Sequence, residues 1–464
     1  MKFEIMVLCC MWIPALPAFA GRAAPVPVPP ASAAPARWLL SGPVVSSTQT
    51  PQAVWSISDA LKLALKNNPN LRAARTNYEA AQAALDESYG VYLPTLDVSA
   101  QAQRSTLPAP SAGLSGALGQ NNPYADGMAE VRQTLFDFGK GLERIRAAKS
   151  GLLSARERYL ALRNLIKLST ERSFYNVASA EKMVEVAKKG LAKYEETYRD
   201  TNLYVKTGVR PAFDLTQSEV QLSRAQLNLI SAKNALDLAR IALLNIMGMT
   251  RQVRFTIKEP AMQTFDVRAE SMRLSDLTAE ALMARPEMRA AKAEISASRA
   301  LLQEERLEYF PTFSADAWSG RFLPDYPSSL RTAYAFGVGA TWNLFDGWQT
   351  ASRVRELRAR LGSEKALFNA EAEQVVAEVA SAYMNLVRAE QSERVAQNSL
   401  FFAKENLNYA QLRYTNGVGT MLELLTAETS LVNAQADFVQ TLYRRAIAVA
   451  SLRQAVNVPL KGEK

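Results

Sequence analysis

The chain repeats itself over about half its length, and this internal repeat constrains the fold more than any other feature. Gly208 aligns with Gly417 at an offset of 209 residues, and Asp214 aligns with Glu423 at the same offset. A chain with such a repeat consists of two copies of one structural unit. The sequence therefore predicts two tandem repeats, at 54–250 and 276–458, joined by a connector over 251–275 and followed by a short tail at 459–464.

The N-terminus has the pattern of a secretory signal peptide over residues 1–20. Lys2 supplies the positive charge, Ile5–Leu16 forms the apolar run, and Ala18-Phe-Ala20 precedes the expected cleavage before Gly21. We therefore expect an exported protein whose signal peptide is removed.

Residues 21–53 are rich in proline and alanine, which predicts an extended and poorly ordered leader. After the signal, no apolar run reaches the roughly 18–20 residues that a membrane-spanning helix needs. The exported chain is therefore expected either to be soluble beyond the inner membrane or to cross an outer membrane with strands.

Residue composition argues against several classes of function. The sequence has no histidine, and both cysteines, Cys9 and Cys10, lie within the predicted signal. Imidazole metal sites, thiol chemistry, disulfides and Ser-His or Cys-His nucleophile systems are therefore not expected in the mature chain. We found no catalytic constellation, so the sequence predicts neither an enzyme nor a cofactor.

The net charge of +9 is spread along helical faces rather than gathered in a patch. Lysine and arginine alternate with glutamate there, which is typical of solvated helices. Nucleic acid is therefore not an expected partner.

Each repeat contains two segments in which apolar and polar residues alternate. These predicted strands lie at about 91–104 and 128–138 in the first repeat, and at about 309–320 and 332–346 in the second. Alternation with period two indicates strands with one apolar and one polar face. Their length suits a tilted crossing of a bilayer, although a soluble sheet with one buried face is the alternative. Because four strands leave two open edges, a membrane sheet would have to be shared by several chains.

A very long helical pattern follows each pair of strands, at roughly Gly139–Val205 and Trp348–Tyr414. Both patterns lack proline and are rich in Ala, Leu, Glu, Arg and Lys, which favours coiled-coil packing of helices about 100 Å long. A glycine turn then reverses the chain, and return helices are expected at roughly Phe213–Met247 and Leu422–Val456.

The order of these elements, and the motifs between them, resemble the TolC family of outer-membrane efflux and type I secretion channel proteins. The motifs are Tyr92-Leu-Pro-Thr95 and Tyr309-Phe-Pro-Thr312 at the strand starts, and Leu135-Phe-Asp-Phe-Gly139 and Leu344-Phe-Asp-Gly347 at the strand ends. The resemblance covers nearly all of residues 54–458, and its specificity lies in the matching order of the motifs in both halves.

The resemblance implies a mainly α protein with a small β part. Three copies would close a 12-stranded β-barrel in the bacterial outer membrane, continued by an α-helical tunnel in the periplasm. The implied partners are outer-membrane lipid, a periplasmic adaptor (membrane fusion protein) and an inner-membrane transporter of the ABC or RND type. The implied cargo is drugs, or whole unfolded proteins such as toxins in type I secretion.

The resemblance also indicates candidate gate residues. Glu423 matches an acidic position at the narrow periplasmic entrance, where three carboxylates would surround the bore and select what passes. Its alternative role is that of a solvated residue favoured by the helix dipole. Arg210 and Asp214 are candidates for a latch between neighbouring coils. The chain departs from the family pattern at Thr426, where a second acidic residue can occur, and at Gly419, where some relatives carry arginine.

The turns themselves are candidates for docking the adaptor, through Gly208, Val209, Gly417, Val418 and Gly419. Gly208 and Gly417 are also expected to adopt positive φ. Without a clear lipobox, which many drug-efflux members carry, analogy favours protein export slightly over multidrug efflux. The alternative to an exit duct is a soluble periplasmic coiled-coil scaffold or adaptor.

Overall fold

The computed structural model describes residues 53–105, 122–249, 255–258, 272–323 and 331–457. The predicted signal peptide, nearly all of the predicted leader, the tail and part of the connector lie outside the described residues. All described residues belong to one unit, Gln52–Lys464.

Each repeat consists of two short helices, two strands, a very long helix and a return helix. The elements of the first repeat are β1 (Ala53–Trp55), α1 (Ile57–Asn67), α2 (Pro69–Tyr89), β2 (Thr95–Ser105), β3 (Asn122–Phe136), α3 (Lys140–Lys206) and α4 (Ala212–Ile246). After β4 (Phe255–Ile257), the second repeat comprises α5 (Leu274–Ala284), α6 (Pro286–Arg306), β5 (Thr312–Leu323), β6 (Arg331–Thr341), α7 (Gln349–Thr415) and α8 (Met421–Val456). The fold is mainly α with a small β part, as predicted.

The two long helices, α3 and α7, each contain 67 residues. At about 1.5 Å per residue, each is about 100 Å long. They begin and end within one residue of the predicted positions because nothing in their interiors interrupts helical hydrogen bonding. Among the described helices, none combines the length and apolar character needed to cross a membrane.

The junction between β3 and α3 is built around the buried side chain of Asp137. Its carboxylate accepts hydrogen bonds from the backbone N–H of Gly139 at 3.0 Å, from that of Gly141 at 2.7 Å and from the Tyr92 hydroxyl at 3.1 Å. Phe138 and Gly139 both have positive φ there, at 55° and 92°. The Asp137 carboxylate thus accepts hydrogen bonds from backbone N–H groups at the start of α3, which have no carbonyl partner within the helix.

Four strands form one antiparallel sheet in the order β2-β3-β5-β6. Its two hairpins come from the two repeats, and they meet where β3 pairs with β5. Within this chain, β2 and β6 are the edge strands, and each presents one unpaired side. Such edges normally require a partner or a cover.

The sheet has an apolar face that is exposed to an unusual degree. Leu96, Val98, Phe336 and Val338 are 68%, 77%, 84% and 72% exposed. The opposite face carries polar side chains in neighbouring rows, for example Asp97 opposite Glu130 and Arg132 opposite Asp316. The alternation predicted from the sequence is therefore present, and its apolar face is uncovered in a single chain.

The strand limits differ from the predicted ones in the first repeat. β2 begins at Thr95 rather than near residue 91, because Gly90–Tyr92 forms a turn of 3-10 helix. β3 begins at Asn122, well before residue 128, since its pairing with β2 extends to Ser105. It ends at Phe136, where Asp137 turns to cap α3.

The second repeat shows corresponding differences from the predicted 309–320 and 332–346. Leu307–Tyr309 forms a 3-10 turn, so β5 begins at Thr312 and extends to Leu323. β6 ends at Thr341, and the next residue, Trp342, donates its indole N–H to the carbonyl of Tyr309 at 3.0 Å. The predicted connector, 251–275, ends two residues too late, because α5 begins at Leu274.

Corresponding apolar clusters lie in the two repeats. The first-repeat cluster surrounds Phe174 and Leu243, both 0% exposed, joins α1, α3 and α4, and also includes Tyr443 and Ala446 of α8. The second-repeat cluster surrounds Leu386 and Leu452, also 0% exposed, and joins α5, α7 and α8. A third, smaller cluster lies near the turns and includes residues of α3, α4, α7 and α8. Burial of these apolar stripes is what fixes the long helices side by side.

Candidate functional site

The two turns that connect α3 to α4 and α7 to α8 have the same backbone geometry. Gly208 and Gly417 have φ values of 74° and 78°. The next N–H in each turn reaches back to the carbonyl of the residue five positions earlier, Val209 to Tyr204 at 2.9 Å and Val418 to Arg413 at 3.0 Å. These bonds form a Schellman motif, which ends a helix and favours glycine at the left-handed position. We call this pair of turns, residues 207–211 and 416–420, the paired turns.

Gly419 shows why the second turn differs from the first. A Cβ atom at Gly419 would lie 3.0 Å from the carbonyl carbon and from the Cβ of Arg413, and 3.0 Å from the backbone nitrogen of Tyr414. A side chain at that position would therefore require Arg413 and Tyr414 to move by a few tenths of an ångström. Its counterpart in the first turn, Arg210, extends its side chain instead.

The tips of both turns expose apolar side chains at equivalent positions. Val209 of the first turn and Phe213 at the start of α4 are each 66% exposed. Val418 of the second turn and Leu422 at the start of α8 are 69% and 64% exposed. Exposed apolar groups that recur in both copies form a surface suited to contact with another protein.

Arg210 joins the first turn to the end of α7. Its Nη2 donates to the backbone carbonyl of Tyr414 at 2.9 Å, and its guanidinium carbon lies 4.5 Å from the centre of the Tyr414 ring. The two interactions connect the α3–α4 helical hairpin of the first repeat to the α7–α8 helical hairpin of the second. Among the described residues, neither a hydrogen bond nor an ion pair joins Arg210 to Asp214, and the role of both residues in a latch between neighbouring coils stays a prediction.

Tyr414 is the central side chain of this link. It is buried, packs edge-on against Tyr204 with ring centres 6.5 Å apart, and belongs to the apolar cluster near the turns. Burial raises the pKa of the Tyr414 phenol above its usual value. The positive charge of Arg210 lowers that pKa and the negative charge of Asp214 raises it, so both predicted residues act electrostatically on the same phenol.

Glu423 lies in the first turn of α8, where the Thr420 side chain caps the helix by accepting the Glu423 N–H at 3.2 Å. The Glu423 side chain is 47% exposed, and its Oε2 lies 3.4 Å from Nε of Arg413. Arg413 therefore compensates part of the carboxylate charge. A ring built from Glu423 would consist of paired charges rather than bare carboxylates.

Sequence reasoning did not identify Arg413 or Tyr414 as site residues. Both precede Gly417 at the end of a regular helical pattern, and neither stands out from its neighbours there. The Arg210–Tyr414 contact joins residues 204 positions apart, so no local pattern could have indicated it. Among the described residues, no group of three or more acidic, histidine or cysteine side chains is arranged to hold a metal ion.

The two repeats, each with a β-hairpin and a pair of long helices, match a known protein family. The model of the outer membrane efflux protein family matches residues 60–249 and 277–458, which together make up most of the chain and coincide with the two repeats. The chain belongs to the outer membrane efflux protein family.

The chain is similar to two bacterial proteins over most of its length. Protein CyaE of Bordetella pertussis is 26% identical over 86% of this chain and 81% of its own length. The alkaline protease secretion protein AprF of Pseudomonas aeruginosa is 21% identical over 85% of this chain and 83% of its own length. The similarity extends over both repeats in each case.

A solved structure shares the fold of this chain. The outer membrane channel CmeC of Campylobacter jejuni superposes with a TM-score of 0.75 over 88% of this chain and 87% of its own length, at 20% identity. The fold with two hairpins and long paired helices is therefore that of TolC-like channels.

Proposed function

We propose that three copies of this chain form the exit duct of a tripartite export system in the bacterial outer membrane. The observation that carries the proposal is the placement of two unlike surfaces at opposite ends of the same 67-residue helices. At one end is a sheet with an exposed apolar face and two unpaired edges, and at the other are the paired turns. A duct needs a lipid-facing part and a docking part, and these two surfaces meet those needs.

The open sheet supports assembly of several copies. Four strands from each of three chains would close a 12-stranded barrel, in which β2 of one copy pairs with β6 of the next. Closure would satisfy the backbone groups of both edges and would turn the apolar face toward lipid. The polar face, with Asp97, Glu130 and Asp316, would then line water.

The paired turns support docking of a periplasmic adaptor. Val209 and Val418 would supply apolar contacts, while Gly208, Gly417 and Gly419 would hold the turns in the required shape. The adaptor would connect the duct to an inner-membrane transporter of the ABC or RND type, which supplies the energy. The duct itself would perform no chemistry.

The contacts behind the turns support a gate at the same end. Arg210 would hold the two hairpins of one chain together through Tyr414, and separation of the hairpins would break that link. Glu423, paired with Arg413, would lie at the narrow opening and give it a weak preference for cations.

For the cargo, we propose a protein secreted in one step. The relative AprF is named for the secretion of alkaline protease, which supports this choice. Drugs are the second candidate, because the family is described by efflux.

Conductance across planar lipid bilayers tests the duct. Detergent-purified wild-type protein is expected to form trimeric channels, and Glu423→Ala is expected to weaken their cation preference. Arg413→Ala is the matched variant, since it leaves the Glu423 carboxylate unpaired and should strengthen that preference. Channels with the same ion selectivity in all three proteins would remove Glu423 from the mechanism. A protein that stays in aqueous buffer without detergent and forms no channels would contradict the duct and favour a periplasmic scaffold.

A further inference from the structure

One carboxyl group near the paired turns is fully buried and has no role in the function proposed so far. Glu428 of α8 is 2% exposed and lies in the seam where α8 packs against α3, that is, between the two repeats. The hydroxyl of Thr197 in α3 donates to its Oε1 at 2.6 Å. Within the described part of the chain, its Oε2 has no hydrogen-bond partner.

An ionised Glu428 carboxylate in this buried position would destabilise the packed seam. An ionised group removed from water requires a charged partner or several hydrogen bonds, and Glu428 has one neutral donor. The neutral carboxyl avoids most of this cost. Burial raises the pKa of Glu428 above its usual value, although the Thr197 hydrogen bond and the charge of Lys193 each lower it.

The charges around the seam do not compensate for an ionised Glu428. The charged groups that act electrostatically on Glu428 are Lys193 and Glu196, both on α3. The neighbouring helices carry further ionisable residues, among them Glu219 and Arg224 of α4 and Lys404 and Glu405 of α7. Lys193 already pairs with Glu196 at 3.1 Å, and the groups on α4 and α7 are exposed. The Tyr194 hydroxyl shares a hydrogen bond with that of Thr429 at 3.1 Å.

We propose that Glu428 is a proton-dependent positioning residue for the gate, neutral while α3 and α8 are packed together and ionised once they separate into water. Rising pH therefore favours the separated seam and an open entrance, and falling pH favours closure. This inference rests on the proposed function, because it assigns regulation to the same gate.

The direction follows from proton linkage. In the separated seam, Glu428 is hydrated and titrates near the ordinary glutamate value of 4.5, whereas in the packed seam its pKa is raised. Between the two values the packed seam binds more protons, so packing is fully favoured below pH 4.5 and is weakened as pH rises through the raised value. For each carboxyl that titrates, the ratio of open to closed seam changes by at most about tenfold per pH unit.

The test compares wild-type protein with Glu428→Gln from pH 4 to pH 8. The amide has nearly the same shape, can still accept the Thr197 hydrogen bond and cannot ionise. We expect the open fraction of wild-type channels in planar bilayers to rise with pH, and that of Glu428→Gln to stay at the low-pH level. Glu405→Gln, which makes the same change on the exposed face of α7, should titrate as the wild type does.

A second variant and a second readout keep the inference open to refutation. Thr197→Val removes the hydrogen bond that lowers the pKa of Glu428, so the pKa in the packed seam should rise further and the pH-dependent range of opening should extend to higher pH. Hydrogen exchange of segments 190–201 and 421–432 in the full-length detergent-solubilised protein, corrected for intrinsic rates, reports seam opening without any conductance. Unchanged pH profiles in Glu428→Gln would overturn the inference. Wild-type protein that conducts at no pH would instead contradict the proposed duct, while hydrogen exchange would still decide the role of Glu428.

Discussion

Replacing Arg210 with alanine should loosen the closed state of the gate, because the change removes both interactions that join the first turn to α7. A hydrogen bond from a charged donor contributes about 1.5–3 kcal/mol, and a cation–π contact at an exposed site contributes about 0.5–1 kcal/mol. Arg210 is half-buried, so water replaces part of this interaction. We therefore expect a loss of about 2 kcal/mol per chain, equivalent to an open-to-closed ratio about 30 times higher.

The assay is single-channel recording of purified protein in planar bilayers, with open probability as the readout. Lys206→Ala provides the matched control, since it removes one positive charge from an exposed position in the last turn of α3. Tyr414 keeps its ring in Arg210→Ala, so the core near the turns should remain packed and the thermal unfolding temperature should change little. An open probability equal to that of Lys206→Ala would refute the idea that the Arg210–Tyr414 contact holds the hairpins together.

Three further substitutions test the packing that positions the site, with thermal or denaturant unfolding as the measurement. Gly419→Ala should destabilise the protein by about 1–3 kcal/mol, because the new Cβ would lie 3.0 Å from Arg413. The control Gly362→Ala, in an open part of α7, should be neutral or stabilising by up to about 1 kcal/mol. Equal changes in the two variants would contradict the close approach at Gly419. Asp137→Ala leaves buried donors at the start of α3 without an acceptor and should cost about 1–3 kcal/mol, so an unchanged midpoint would show that water replaces the carboxylate. Leu386→Ala should cost about 2–5 kcal/mol in the second-repeat core, and a loss below about 1 kcal/mol would mean that the site is not closely packed.

Much of the fold could be predicted from the sequence because it depends on near neighbours along the chain. Period-two alternation identified all four strands of the sheet, and uninterrupted helical patterns located α3 and α7 almost to the residue. The glycines of the paired turns were also predictable, since a left-handed residue after a helix favours glycine. The repeat then predicted that each of these elements occurs twice.

The strand limits were less predictable because they depend on partners rather than on local pattern. β3 begins at Asn122 because β2 extends far enough to pair with it, and β6 ends at Thr341 although apolar residues continue beyond it. The short 3-10 turns before β2 and β5 likewise shift the strand starts. A pattern of side chains indicates which segments can pair, but the pairing itself decides where they stop.

The sequence by itself determined the element types, the two-fold repeat and the shape of the turns, because these follow from periodicity and from backbone preferences of single residues. Only the tertiary structure decided which side chains meet between the repeats. It brought Arg210 to Tyr414, paired Glu423 with Arg413, and buried Glu428 beside Thr197. The physical reason is that the rotation of a 67-residue helix about its axis is set by the packing of its whole apolar stripe against other helices. Residues about two hundred positions apart therefore become neighbours only when that packing is complete.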